Sequence, residues 1–281
     1  MRVGVLGLGA MGSRMAARLA AAGHDVCGYD PHPNSAASEI ELMTDEIETV
    51  RRAETVLLSL PNQNVQADVV EKILGAVAGR TIVDTTTTTP TRAMDTARRL
   101  SEHGAEFLDA PVTGGTGGAE NGTLTVMVGG EQAVLESQMP ALSAMGSRIV
   151  HIGPHGHGQI AKMVNQLLMA AIYASVGESF ALASRWGADI SRVYEAVEYG
   201  GGQSFLLSAM KADMLAGRIQ TEGNLAQHGK DVEYALTEAQ RSRAYVPISS
   251  AVQQLFRLAC VLGLDRAAAG NLWAVWHKLE E

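Results

Sequence analysis

The spacing of hydrophobic positions divides the chain into two parts with different periodicities. Up to residue 152, short apolar runs alternate with helical patterns, and these runs predict strands at 3–8, 25–29, 55–60, 81–84, 105–108, 124–128 and 148–152. After Gly158 every pattern is helical, with predicted helices at 159–186, 189–199, 203–217, 223–243, 247–262 and 266–279. The sequence therefore predicts an α/β domain of Rossmann type over residues 1–158. An all-α domain is predicted over residues 159–281, and a long helix joins the two.

The first predicted strand ends in a glycine pattern that is typical of dinucleotide binding. The segment reads Gly7-Leu8-Gly9-Ala10-Met11-Gly12, and a helical pattern follows it directly. The first glycine permits a tight turn, the second lets a pyrophosphate approach the backbone, and the third lets the helix pack closely on the sheet. The helix start supplies free N–H groups for the phosphates. We expect these six residues to bind the cofactor.

Asp30, at the tip of the second predicted strand, bears on the choice of cofactor. A carboxylate here can accept hydrogen bonds from the ribose hydroxyls and repels a 2′-phosphate. The next residues, Pro31, His32 and Pro33, include no arginine that could hold such a phosphate. We therefore expect NAD in preference to NADP, with NADP still possible.

Three further loops are candidates for ligand contacts. Strand tips of such a sheet point at the ligand, so we expect Leu60, Pro61 and the threonine run 85–89 to meet the cofactor. A solvated turn is an equally good explanation of five consecutive threonines. The glycine-rich segment after Thr113 could form a nest of N–H groups for an anion, or be a flexible surface loop.

The helix predicted to begin at Gln159 carries Lys162, Asn165 and Gln166 on one face of its first turns. A lysine alone is usually an exposed surface residue. Here it stands with two amides at the seam between the two predicted domains. Two nearby histidines, His155 and His157, have no third ligand close in the sequence, and no metal site is predicted.

Composition narrows the class of protein without naming an activity. Of the 281 residues, 46% are hydrophobic and 19% are charged, which is typical of a globular protein. The net charge of −8, with no basic run, argues against a nucleic-acid or anionic-membrane partner. The apolar run 167–174 is short for a membrane span. The two cysteines lie far apart, which favours a reduced, cytoplasmic protein.

Taken together, five motifs resemble those of the β-hydroxyacid dehydrogenases, the family of 3-hydroxyisobutyrate dehydrogenase and tartronate semialdehyde reductase. The resemblance covers essentially the whole chain. Besides the glycine pattern, it rests on four segments in family order: Asp84-Thr85-Thr86-Thr87 with Pro90, Asp109-Ala110-Pro111-Val112-Thr113-Gly114-Gly115, Gly156-x-Gly158-x-x-x-Lys162-x-x-Asn165-Gln166, and Lys230-Asp231-Val232. Thr113 stands where the family has serine, and Gln166 stands where many 3-hydroxyisobutyrate enzymes have asparagine.

This resemblance implies a fold like that of 6-phosphogluconate dehydrogenase and an active site in the cleft between the domains. It implies reversible hydride transfer between a small 3-hydroxy acid and nicotinamide, with Lys162 as general acid and base. Thr113, Gly114 and Gly115 would hold the substrate carboxylate, and Asn165 and Gln166 would orient its hydroxyl end. Thr87 and Lys230 would contact the cofactor.

Several alternatives stay open at this point. Gln166 resembles the residue of tartronate semialdehyde reductases, so a D-glycerate-like substrate and a 3-hydroxyisobutyrate-like substrate are both expected candidates. A non-catalytic dinucleotide-binding sensor or scaffold, or an imine reductase-like relative, would share the fold. The lysine and the intact Thr113-Gly114-Gly115 segment argue against both of these. A homodimer or homotetramer is expected, mostly from the resemblance.

Overall fold

The computed structural model describes residues 1–34, 40–221 and 223–279, and it contains two compact units, Met1–Lys162 and Met163–Glu281. The domain boundary at residue 158 stays a sequence-based prediction. The fold class is confirmed, because a parallel-sheet α/β unit is followed by helices and the long helix belongs to both.

In the described part of the first unit, nine strands form one sheet. These are β1 (Arg2–Leu6), β2 (Asp25–Tyr29), β3 (Glu41–Leu42), β4 (Thr55–Leu58), β5 (Thr81–Asp84), β6 (Glu106–Asp109), β7 (Val112–Thr113), β8 (Leu124–Gly129) and β9 (Gly146–Gly153). Six of them are parallel in the order β3-β2-β1-β4-β5-β6. That order is the one used by dinucleotide-binding folds. Antiparallel β8 pairs with β6 and β7, and β9 runs parallel to β8.

Among the residues that the structure describes, the helices that cover this sheet are α1 (Gly12–Ala21), α2 (Glu46–Arg52), α3 (Gln63–Ile73), α4 (Pro90–Glu102), α5 (Gly115–Asn121) and α6 (Gln132–Met145). Successive strand residues point to opposite faces, so the sheet has an apolar core on each side. Val3 and Val5 of β1 pack in one core with residues of α1 and α6. Leu6 packs in the other core with residues of α2, α3 and α4.

The second unit is helical. The long helix α7 (His157–Arg185) begins in the first unit and is followed by α8 (Ile190–Val197), α9 (Phe205–Leu215), α10 (Leu225–Ser242), α11 (Pro247–Val261) and α12 (Ala274–Lys278). The final predicted helix, 266–279, is instead a 3₁₀ turn at Ala269–Trp273 followed by the short α12. Sequence periodicity also missed β3, β7, α2 and α5, all of seven residues or fewer.

Among the described residues, α7 alone is long and apolar enough to cross a membrane by length and composition. Core helices of soluble proteins meet the same criterion. Ala170, Tyr173, Ala174 and Phe180 of α7 are buried in the apolar core of the second unit, as expected for a core helix.

Candidate active site

The turn between β1 and α1 has the geometry that a dinucleotide requires. Gly7 has φ of 96°, and a Cβ there would overlap the main-chain carbonyl of Ser59. A Cβ at Gly12 would overlap the Gly7 carbonyl, so α1 can pack this closely only with glycine. A Cβ at Gly9 would meet nothing within 4 Å, which leaves its backbone open to a phosphate group. The residues therefore fit the cofactor that the pattern implies.

Asp30 holds this turn in place. One carboxylate oxygen accepts the N–H of Leu8 at 2.7 Å, and the other accepts the N–H of His32 at 2.8 Å. A carboxylate oxygen has two acceptor positions, so these bonds leave capacity for ribose hydroxyls. The role predicted for Asp30 in cofactor choice stays a prediction. Residues 35–39, which follow, lie outside the described part of the chain.

The threonine run divides into four buried residues and one that is partly exposed. Thr85 donates its hydroxyl to the Leu58 carbonyl at 2.7 Å, and the Thr86 hydroxyl accepts the N–H of Leu60 at 3.1 Å. The Thr89 side chain caps the first turn of α4. Thr88 is also buried, whereas Thr87 is partly exposed. The run is thus an ordered loop at the carboxyl end of β5, and Thr87 is its accessible member. Pro61 is exposed at the neighbouring end of β4.

Two buried aspartates end adjacent strands next to this loop. Asp84 accepts from the Thr86 N–H at 2.9 Å and from the Gln66 amide at 2.9 Å. Burial raises the pKa of Asp84 to about 7, despite these bonds, and the charge of Asp109 acts in the same direction. Burial also raises the pKa of Asp109, although hydrogen bonds from the backbone at Gly156 and Gln159 oppose the shift.

Asp109 fixes the beginning of α7. Its two oxygens accept the N–H groups of Gly156 at 2.7 Å and Gln159 at 3.0 Å. Gly156 has φ of 88°, and a Cβ on Gly158 would overlap the main-chain carbonyls of Met127 and Asp109. The two glycines therefore let the helix start lie directly against the ends of β6 and β8.

Lys162 lies one turn further along α7 and is buried, with 8% of its surface exposed. Its amine donates to the carbonyl of Val112 at 2.9 Å. Thr113 follows Val112, so the structure brings together the lysine and the segment that was predicted to hold the substrate carboxylate.

The glycine-rich segment after Thr113 is helix α5 rather than an irregular loop. Gly114 and Gly115 have φ of 129° and 65°, a region of backbone conformation that favours glycine, and they form the turn into the helix. Both glycines are exposed, and Thr113 is partly exposed. Composition could not predict the helix because four of its seven positions are glycine or asparagine, which are poor helix formers.

The next turn of α7 carries a second polar cluster. The Gln166 amide nitrogen donates to Asp231 Oδ2 at 2.7 Å and lies 3.3 Å from His228 Nδ1. His228 Nε2 lies 3.2 Å from the Gln166 carbonyl. Because an amide nitrogen can only donate and a carbonyl can only accept, the ring proton of His228 is on Nε2. The amide oxygen of Gln166 accepts from the Asn165 amide at 3.1 Å.

Both polar groups of the Gln166 side chain are therefore engaged with protein atoms, and its amide oxygen orients Asn165. Direct contact of Gln166 with the substrate stays a prediction. Lys230 pairs with Asp231 Oδ1 at 3.0 Å, and its amine lies 4.7 Å from the centre of the Tyr234 ring. Its predicted cofactor contact also stays a prediction.

Comparison with known proteins places this arrangement in a family. Residues 2–153 match the model of the NAD-binding domain of 6-phosphogluconate dehydrogenase. Residues 156–272 match the model described as the NAD-binding region of NADP-dependent 3-hydroxyisobutyrate dehydrogenase. The chain belongs to the β-hydroxyacid dehydrogenase family. It is an NAD(P)-dependent oxidoreductase of the hydroxyacid dehydrogenase type.

Individual relatives cover almost the whole chain. It is 30% identical to 2-(hydroxymethyl)glutarate dehydrogenase of Eubacterium barkeri, over 99% of this chain and 96% of the relative. It is 33% identical to 2-hydroxy-3-oxopropionate reductase of Escherichia coli, over 95% of each. Among solved structures, Mycobacterium tuberculosis 3-hydroxyisobutyrate dehydrogenase with L-serine has a TM-score of 0.89 and 28% identity, covering 100% and 99% of the two chains.

Sequence reasoning gave no role to several polar residues that organise these clusters, namely Asp84, Asp109, Gln159, His228 and Asp231. Asp84, Asp109 and Asp231 stand inside the quoted motifs, so their positions were available. The partners of the five residues lie up to 73 positions away in the sequence, and no local pattern indicates such pairings. His155, considered as a metal ligand, instead has its ring nitrogen 3.0 Å from the Phe107 carbonyl.

Proposed function

We propose that the protein interconverts a small 3-hydroxy acid and its semialdehyde, with Lys162 as the general acid and base. The observation that carries this proposal is the buried Lys162 amine 2.9 Å from the carbonyl of Val112. It stands beside the Thr113-Gly114-Gly115 segment, whose N–H groups and hydroxyl suit a carboxylate. A buried amine there can give a proton to, or take one from, an oxygen of an acid anchored at that segment.

Each residue then has a distinct task in the reaction. Bound NAD(P) supplies the hydride acceptor or donor, as in all nicotinamide enzymes. Thr113, Gly114 and Gly115 bind the substrate carboxylate and fix which carbon faces the cofactor. Lys162 protonates the aldehyde oxygen during reduction and removes the hydroxyl proton during oxidation. Asn165, one helical turn further along α7, orients the same oxygen, and Gln166 holds the Asn165 amide.

The substrate in this proposal has three or four carbons, with D-glycerate, 3-hydroxyisobutyrate and L-serine as the first candidates. Two relatives are named for 2-hydroxy-3-oxopropionate and 2-(hydroxymethyl)glutarate, and one related structure is titled with L-serine. All five compounds combine a carboxylate with an oxygen on a nearby carbon. The buried lysine and the Thr113-Gly114-Gly115 segment favour this chemistry over imine reduction.

We also propose NAD as the preferred cofactor. Asp30 is placed by the Leu8 N–H at the dinucleotide turn, where its charge would oppose a 2′-phosphate. The ratio of kcat/KM for NAD+ and NADP+ tests this preference, and a ratio favouring NADP+ would contradict it.

We further propose that the protein is a cytoplasmic homodimer or homotetramer. Light scattering of the purified protein measures the number of subunits.

The central experiment measures initial rates on the three candidate acids for wild type, Lys162→Ala and Lys72→Ala. Lys72 is a matched control because it is an exposed lysine of the same unit, paired with Glu46 in a surface ion pair. Loss of the general acid and base should reduce turnover about 100-fold or more in Lys162→Ala. NADH binding, followed by fluorescence titration, should be retained, and Lys72→Ala should match wild type.

Two results would count against the proposal in different ways. Near-native turnover in Lys162→Ala would remove the lysine from the mechanism. Binding of NADH by a wild-type protein that oxidises none of the acids would reject the proposed substrate class.

A further inference from the structure

Gln159 connects the threonine loop to the first turn of α7. Its side chain is fully buried. The amide oxygen accepts the N–H of Thr88 at 3.0 Å, and the amide nitrogen donates to the carbonyl of Thr86 at 2.8 Å. These two bonds hold the main chain on both sides of Thr87, the partly exposed member of the loop.

The backbone of Gln159 is itself held by a third segment. Its N–H donates to Asp109 Oδ2, at the end of β6, at 3.0 Å. One residue therefore joins the loop after β5, the end of β6 and the start of α7. Lys162 lies three positions later on α7, which places it on the neighbouring turn of the same helix face.

We propose that Gln159 is a positioning residue that fixes the Thr87 main chain relative to the Lys162 amine. This inference rests on the proposed function, which assigns Thr87 to the cofactor and Lys162 to proton transfer. Hydride transfer requires the reacting atoms to be aligned closely, and a displacement of about 1 Å can cost about 100-fold in rate. Gln159 sets this alignment without touching substrate or cofactor.

The chemistry of an amide explains why glutamine stands here. Thr88 presents a donor and Thr86 presents an acceptor, so the bridging side chain must accept at one atom and donate at another. Methionine, of similar length, cannot donate, and its sulfur accepts only weakly. A glutamate carboxylate can accept from Thr88 but cannot donate to Thr86 until it is protonated.

The test compares Gln159→Met with Gln138→Met. Gln138 is a suitable control because it is also buried in the first unit and also uses both amide atoms, accepting from Thr55 at 2.8 Å and donating to Ser137 at 3.1 Å. Thr55 is the first residue of β4, so the Gln138 amide lies at the amino ends of the parallel strands. The site described above lies at their carboxyl ends.

Gln159→Met should lower kcat by about 30- to 100-fold, from misalignment of the hydride transfer. The primary deuterium isotope effect on kcat, measured with substrate labelled at the oxidised carbon, should rise because hydride transfer becomes slower than the other steps. Gln138→Met should lose comparable thermal stability while its kcat stays within about two-fold of wild type, since it does not alter the alignment.

Gln159→Glu supplies a second variant if Gln159→Met folds poorly. Its kcat relative to wild type should recover as the pH is lowered from 8 to 6, since the introduced carboxyl can donate to Thr86 once it is protonated. Unchanged kcat and isotope effect in Gln159→Met, or a Gln159→Glu defect that is independent of pH, would overturn the inference.

Failure of the proposed function would give a different result. In that case wild type would oxidise none of the acids, and NADH affinity would replace turnover as the readout. Gln159→Met should then bind NADH about 10-fold more weakly than Gln138→Met, because the loop around Thr87 is no longer held. Equal affinities would overturn the positioning role as well.

Discussion

Two neighbouring turns of α7 are held in place by different kinds of partner. Around Lys162, each bond has a main-chain group at one end: the Asp109 carboxylate accepts two backbone N–H groups, and the lysine itself donates to the Val112 carbonyl. Around Gln166, the partners are mostly side chains, those of Asn165, His228 and Asp231.

This difference indicates which part of the site can vary. The Val112 carbonyl is present whatever residue occupies that position, so the bond of the Lys162 amine depends on the fold of the sheet and on the single Asp109 carboxylate that holds the helix start. A side-chain partner can be replaced, so the Gln166 cluster can be altered as a set without rebuilding the strands. We therefore expect proton transfer to be the fixed property of this site and substrate choice to be the adjustable one.

Asp109→Ala should be the most damaging change to the first turn. It leaves the buried N–H groups of Gly156 and Gln159 without their acceptor, which should lower the free energy of unfolding by about 3 kcal/mol. Displacement of the α7 start should also lower kcat by about 100-fold. Denaturant unfolding and steady-state rates measure the two effects.

Asp45→Ala is the matched control, because Asp45 also accepts a helix N–H, that of Glu48 at 2.7 Å, but at the exposed start of α2. It should cost about 1 kcal/mol with no change in kcat. If Asp109→Ala lost no more turnover than Asp45→Ala, the Asp109 carboxylate would have no role in placing Lys162.

Local patterns in the sequence could predict some residues of this site but not the partners that hold them. The glycine turn and the position of Lys162 could be predicted because their determinants are local: glycine spacing, strand ends and helical periodicity. Gln159, Asp109 and Asp231 also lie in or beside recognisable motifs, but their partners are set by sheet order and helix packing, which local patterns do not contain. Short elements such as β3 and α5 were missed because two to seven residues carry too little periodicity.

Gln166→Leu should disturb the second turn less than Asp109→Ala disturbs the first. The substitution removes the amide nitrogen that donates to Asp231 and the amide oxygen that accepts from Asn165. Because Asn165 is then no longer oriented, we expect kcat/KM to fall about 10-fold, mainly through a higher KM. Gln166→Asn should fall between wild type and Gln166→Leu and should change the order of preference among the three acids, because its amide is one methylene shorter. Steady-state kinetics on each acid measures both variants.

Gln253→Leu is the control for this cluster, since Gln253 is a buried glutamine of the same unit, on α11. It should leave the preference among the acids unchanged. A Gln166→Leu enzyme with the kinetics of Gln253→Leu would show that the second cluster supports folding only.

Asp84→Asn should have the smallest effect on turnover, within about three-fold, and its effect on stability should depend on pH. The pKa of Asp84 is raised from 3.8 to about 7 by burial, so the folded state holds its proton more tightly than the unfolded chain does. Its contribution to stability is therefore fully present below about pH 4 and is lost as the pH rises through 7. Asparagine cannot titrate, so wild type should lose stability relative to Asp84→Asn between pH 5 and pH 8.

Denaturant midpoints of both proteins at these two pH values measure that change, with Asp68→Asn as a control at an exposed carboxylate of α3. Asp84 accepts the Thr86 N–H, and the Thr86 carbonyl accepts from Gln159 on the first turn of α7, so titration of Asp84 acts on a segment that is bonded to that turn. A stability difference that is the same at pH 5 and pH 8 would mean that Asp84 does not titrate in this range.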